Sequence, residues 1–167
     1  TFVGPNGRPN TAANHNYANR WRRSTHFVLN NSVLLGFQKG GFSIESAETG
    51  SSYLNGTSEF RNNLVHAIAR PFFGNSGSGL TDSDIEQKAL GEGNIKLDEA
   101  DMAKLKAPWS LTAPDFRPDA GSPALSGAVF SGPLADPFFQ KVSFRGAVGS
   151  VDWTAGWTNW DPNSTDY

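Results

Sequence analysis

A chain of 167 residues is long enough to bury one sizeable core and too short for two large domains, so a single domain over 1–167 is expected. Charged residues make up 18% and the net charge is −2, which supplies no electrostatic pull toward nucleic acid or an anionic membrane surface and demotes both as partners. No cysteine is present, which removes disulfides and thiolate metal sites, and no apolar run approaches the about 20 residues that span a bilayer.

Eighteen glycines and ten prolines predict short strands joined by turns. Phe2 and Val3 read as a strand, followed by a Gly-, Pro- and Asn-rich loop over 4–10. Residues 11–23 are polar, with Arg20, Arg22 and Arg23 around Trp21. They read either as a patch that stacks a glycan on Trp21 or as a solvated loop ending in a charged edge strand. The chain opens at Thr1 without a basic-then-apolar leader, and is expected to be a processed product or the C-terminal part of a larger protein.

Residues 25–37 are echoed by 58–68. Laying Asn30 and Asn31 over Asn62 and Asn63 puts Val28 on Phe60 and Val33 on Val65, an offset of 32 residues from 30 to 62. Recurrence at such a period is the mark of stacked units, each unable to bury its own apolar face. Between the copies, Phe42 and Ile44 alternate as a strand should, and 47–57 reads as an outward loop. Asn30, Asn31, Asn62 and Asn63 read as a structural ladder at a turn, because Asn tolerates left-handed backbone and stacked amides bond to one another.

After the Gly- and Ser-rich link at 75–79, two short helices are predicted over 81–91 and 97–106, each acidic at its start. Asp82, Asp84 and Glu86, like Asp98, Glu99 and Asp101, lack the glycine and distal glutamate of a calcium loop and read as helix-terminal charge; no metal and no cofactor is expected. Three N-glycan acceptor patterns, at Asn30, Asn55 and Asn163, are common by chance in an Asn-rich chain and are expected to be unmodified.

Asp115, Phe116, Ala120, Gly121, Ser122, Pro123 and Ala124 spell the segment "DF…AGSPA". This closely resembles the segment that ends right-handed parallel β-helix domains of secreted and cell-surface bacterial proteins. The tail, with Phe144, Gly146 and Ala147 and then Asp152, Trp153, Gly156, Trp157, Thr158 and Pro162, is similar to the "F-x-GA…DW…GWT…P" ending of large envelope-associated members of that group. The resemblance covers 113–162 well and 1–46 weakly. It implies an all-β fold, a short right-handed parallel β-helix or solenoid. Coils would occupy 1–80, a helical excursion 81–112, a terminal coil 113–132, and an aromatic C-terminal cap 133–167.

Trp153, Trp157 and Trp160 form either a sugar-stacking platform or an apolar cap whose indole N–H groups find partners at its rim, and with Trp21 they are the candidate glycan or partner site. Trp109 belongs to the same late tryptophan group, and Asp152 and Asp161 flank the cluster. Catalysis on acidic polysaccharides would draw on Glu45, Glu59, Arg61 and His66, but Arg61 and His66 are five apart, an odd spacing that points them to opposite faces of a strand. No catalytic residue is assigned, and no nucleophile elbow, phosphate loop or HExxH is present. Two threonines, Thr25 and Thr57, fall short of an ice-binding array.

The expected function is a non-catalytic extracellular or periplasmic structural or binding module, an accessory subunit of an envelope assembly whose partner is another protein subunit or a glycan. The alternative is a polysaccharide lyase or hydrolase, or a fragment of one.

Overall fold

The computed structural model describes residues 1–166; Tyr167, the last residue of the expected cap, lies outside them. Its centre is a pair of consecutive strands, β2 (Val33–Phe37) and β3 (Gly40–Ile44), buried at every position. Burial on both faces is the condition under which strands read as continuous apolar runs. Parallel to β2 lie β1 (Phe2–Val3) on one side and β4 (Leu64–Ala67) on the other, and β6 (Ile95–Lys96) extends β4, giving a four-stranded sheet. Parallel to β3 lies β5 (Arg70–Gly74), and Tyr17 and Trp21 form single bridges to Gly40 and Ile44 on the other edge of β3.

The all-β solenoid expected from the sequence is not what folds. The described residues have mixed α/β content, with α-helices α1 (Ala47–Leu54) and α2 (Asp82–Gly91), small separate sheets and no closed coil. The first helix falls on the expected outward loop. Its sequence, AETGSSYL, is poor in strong helix formers, so local propensity gave no sign of it. It is held by what it buries, chiefly Tyr53, which is completely enclosed, with Thr49 and Ser52. The second lies where a helix was expected, started by a capping box between Thr81 and Asp84, and it buries Ile85 and Ala89.

The predicted helix at 97–106 is only a 3₁₀ turn at Ala100–Ala103, ended by left-handed Lys104. The chain then enters β7 (Leu105–Ala107), antiparallel to β8 (Asp115–Pro118). The "DF…AGSPA" segment therefore makes an antiparallel pair and a 3₁₀ turn, not a last parallel coil.

The register differs from the alignment of Asn pairs by one residue. Leu34 pairs with Val65, and the Asn30 side chain accepts from the Arg61 N–H 31 residues away, not 32. What repeats is backbone role and not residue identity. Asn31, Asn62 and Gly93 occupy one column, all with left-handed backbone (φ 56°, 57° and 78°). The next column is Ser32, Asn63 and Asn94. Asn63 Oδ1 accepts from the Ser32 N–H (2.7 Å), and Asn94 Oδ1 accepts from both the backbone N–H and the amide of Asn63 (2.9 Å each). A third unit thus begins at Asn94, inside the expected helical excursion. Asn31 instead clamps Val129 through both its amide atoms.

Two apolar clusters result. One stacks Phe42 on Phe60 (3.8 Å between centroids) beside Phe27, Tyr53 and Ile85; the other gathers Val33, Leu35, Leu64, Leu97 and Ala124 on the opposite side of the sheet. The tail is tied to the strand corners through Arg145. Its guanidinium donates to the carbonyls of Asn62 (2.7 Å), Pro123 (3.1 Å) and Ser126 (2.9 Å), and the neighbouring Gly146 N–H donates to Asn31 (2.7 Å). Burial of this guanidinium lowers its pKa from the usual arginine value.

Candidate functional site: an aromatic cleft

A concavity of about 500 Å³ lies where the N-terminal loop, the end of β2, the 108–114 segment and the tail converge. Its origin is a single irregularity of register. Between Leu34↔Val65 and Phe37↔Ala67, the two residues Leu35 and Gly36 face the one residue His66, a β-bulge. Gly36 adopts φ +69°, and a Cβ there would fall 2.6 Å from Trp109 Cη2, so the indole lies directly on the glycine. The Gly36 N–H, freed from the ladder, donates to His66 Nδ1 (3.2 Å), and its carbonyl accepts from the Asn6 N–H (2.8 Å).

Arg8 crosses the same loop and donates to the Trp109 carbonyl, while the Gln38 amide donates to the Arg8 carbonyl (3.1 Å). The cleft wall is thereby fixed by hydrogen bonds at both ends. Four aromatic rings line it: Phe37, Trp109, Phe116 and Trp160. Phe116 and Trp160 meet edge to face at 5.7 Å, and Trp160 remains 38% exposed. The polar lining comes from Arg8, Thr11, Asn14, His15 and Ser110, and among the described residues no carboxylate faces the cavity. Aromatic faces with a few polar groups at the rim can stack apolar ring faces and bond hydroxyl groups.

The four tryptophans singled out from sequence go to three places. Trp160 lines the cleft. Trp153 and Trp157 stack on each other (5.8 Å, 25°) and stay 52% and 70% exposed, with their indole N–H groups donating to the carbonyls of Ala147 (2.7 Å) and Trp153 (2.6 Å). Trp21 packs half-buried on Phe27 (4.5 Å, 19°), and its indole N–H is enclosed without a partner. The Asp152 carboxylate accepts from the N–H and hydroxyl of Thr154 (3.0 and 2.6 Å), and the Asp161 backbone N–H donates to Asn159 Oδ1 (2.9 Å).

The carboxylates and bases considered for chemistry are scattered. Glu45 binds Arg20 (2.5 and 3.0 Å). Glu59 accepts from Asn30 (2.9 Å), and Arg61 lies 3.7 Å from both Glu59 and Glu92. His66 is buried behind the bulge; enclosure holds its pKa below the ordinary value, against the opposing charges of Glu99 and Asp101. Arg61 and His66 share no site. Among the described residues no cluster of His, Cys, Asp or Glu could hold a metal, and no helix is long and apolar enough to cross a membrane.

Sequence reading missed Arg8, His15 and Phe37 in the cleft and the role of Trp109. One signal was present: Gly36 interrupts an otherwise apolar strand, and an isolated glycine within a strand marks a bulge or a close approach. No family model, curated protein or solved structure matches the chain.

Proposed function

We propose that the chain is a non-catalytic, carbohydrate-binding structural module of the bacterial cell envelope, acting outside the cytoplasm as an accessory subunit, with the aromatic cleft as its glycan site. The observation that carries this reading is the cleft itself. Trp109 is held against Gly36 and by Arg8, in the same cleft as Phe116 and Trp160, so the rings are in place without further ordering. The envelope assignment rests on the resemblance of 113–128 and 138–162 to secreted and surface-attached bacterial proteins. The carboxylates named as catalytic candidates are engaged by Arg20, Asn30 and Arg61, which favours binding over turnover.

The test is tryptophan-fluorescence titration with cello-, chito- and galacturono-oligosaccharides, with Trp160→Ala as the variant. Trp160 is partly exposed, so its truncation spares the core. Loss of at least about tenfold in affinity, some 1.4 kcal/mol, is expected for whichever series binds. Failure of every series to bind the unaltered protein sinks the glycan reading.

A further inference from the structure

A second depression, of about 310 Å³, adjoins the aromatic cleft. The two share one rib, Pro108, Trp109 and Ser110, and nothing else. On the far side of that rib the polar groups are Asp101 and Lys106.

The rib is stiff. Arg8 holds the Trp109 carbonyl, the Trp109 indole rests on Gly36, and Ser110 accepts from the Ala113 N–H (3.1 Å) while its own N–H donates to Ala107 (3.3 Å). A ligand confined to one sugar ring needs only the first depression. A chain that passes over the rib meets aromatic faces on one side and a donor, Lys106, and an acceptor, Asp101, on the other.

We infer that the two depressions are subsites of one elongated groove that takes an internal stretch of a glycan chain, passing over the Trp109 rib, and not a monosaccharide or a chain end. This rests on the glycan reading above and adds chain length as the property the site selects. Asn14 and His15 line the first depression and Asp101 and Lys106 the second, so the two halves of the groove differ chemically and a chain would bind in one direction.

The experiment is a fluorescence titration with the cello-, chito- and galacturono-oligosaccharide ladders from one to six units, on the unaltered protein and on the double variant Asp101→Asn, Lys106→Ala. Both residues are exposed, so the variant folds like the parent, and a circular-dichroism melt verifies this. The expected result is a gain of tenfold or more from the trimer to the hexamer, and in the variant a hexamer affinity that falls to that of the trimer with the trimer unchanged. Equal affinity for trimer and hexamer overturns the inference and leaves the glycan reading standing. Equal loss for both lengths in the variant also overturns it, because the second subsite would then not be separate. If no ladder binds, the glycan reading falls and this inference with it.

Discussion

Replacing Gly36 by alanine tests the origin of the cleft. At φ +69° a Cβ costs about 1–2 kcal/mol of backbone strain. The added methyl would also lie 2.6 and 2.8 Å from two Trp109 ring carbons, and overpacking of that kind costs about 1–3 kcal/mol because the indole has to move. The sum is roughly 2–5 kcal/mol of destabilisation, a large share of the about 5–15 kcal/mol that holds a domain together. Gly79→Ala separates the two terms. Gly79 has a similar φ of +71° and nothing within 4 Å of the added carbon, so only the backbone cost of about 1–2 kcal/mol applies there. Urea unfolding followed by circular dichroism gives both losses, and tryptophan emission reports the displaced indole. If Gly36→Ala loses no more stability than Gly79→Ala and the emission is unchanged, then Trp109 does not depend on the glycine and this account of the cleft is wrong.

His66 sets a pH dependence through the same bulge. Burial lowers its folded-state pKa, so its contribution is fully present above the unfolded value of about 6.5 and is lost as the pH falls from there through the folded value. A urea midpoint that drops between pH 7.5 and 5.5 in the parent, with a shallower drop in His66→Gln, is expected; parallel slopes refute it. Asn94→Ala removes the acceptor of two Asn63 donors and the donor to the carbonyls of Phe60 and Ala89, all buried. The Asn63 amide keeps Leu29 and the Ala89 carbonyl keeps two backbone donors, which leaves the Asn63 backbone N–H and the Phe60 carbonyl unsatisfied; at about 1–3 kcal/mol each, a loss of about 2–6 kcal/mol in chemical unfolding is expected, beyond that of the exposed control Asn55→Ala.

The parts of the fold that were legible in the sequence are those with local causes. The capping residues and first-turn acids of α2 announce a helix by themselves, and the apolar runs of β2 and β4 announce buried strands. The first helix was illegible because Thr49, Ser52 and Tyr53 become helical only when Tyr53 has a core to enter. The 31-residue register was hidden by a coincidence. Two Asn-Asn pairs match at 32, whereas the backbone demands a left-handed residue at 31, 62 and 93, a position that asparagine and glycine both satisfy. Trp160 was read as part of a tail cluster because proximity in sequence suggested it; in the fold it meets Phe116 edge to face and lines one cleft with Trp109, a juxtaposition that no spacing encodes.

The Arg145 tie has a consequence for the order in which the molecule assembles. Adjacent parallel strands close over 31 residues, whereas Arg145 must find the Asn62 carbonyl across 83 and Asn31 must find Val129 across 98. Loop-closure entropy raises the cost of the longer search by about 1 kcal/mol. More decisive is that its acceptors, the carbonyls of Asn62, Pro123 and Ser126, belong to two segments, the corner before β4 and the turn after β8, that come together only after the strand corners and the antiparallel pair exist. The tail therefore acts as a latch that closes on a finished body and opens before it. Amides of 128–146 should exchange with solvent through a low-energy local opening while those of β2 and β4 remain protected until the whole domain unfolds.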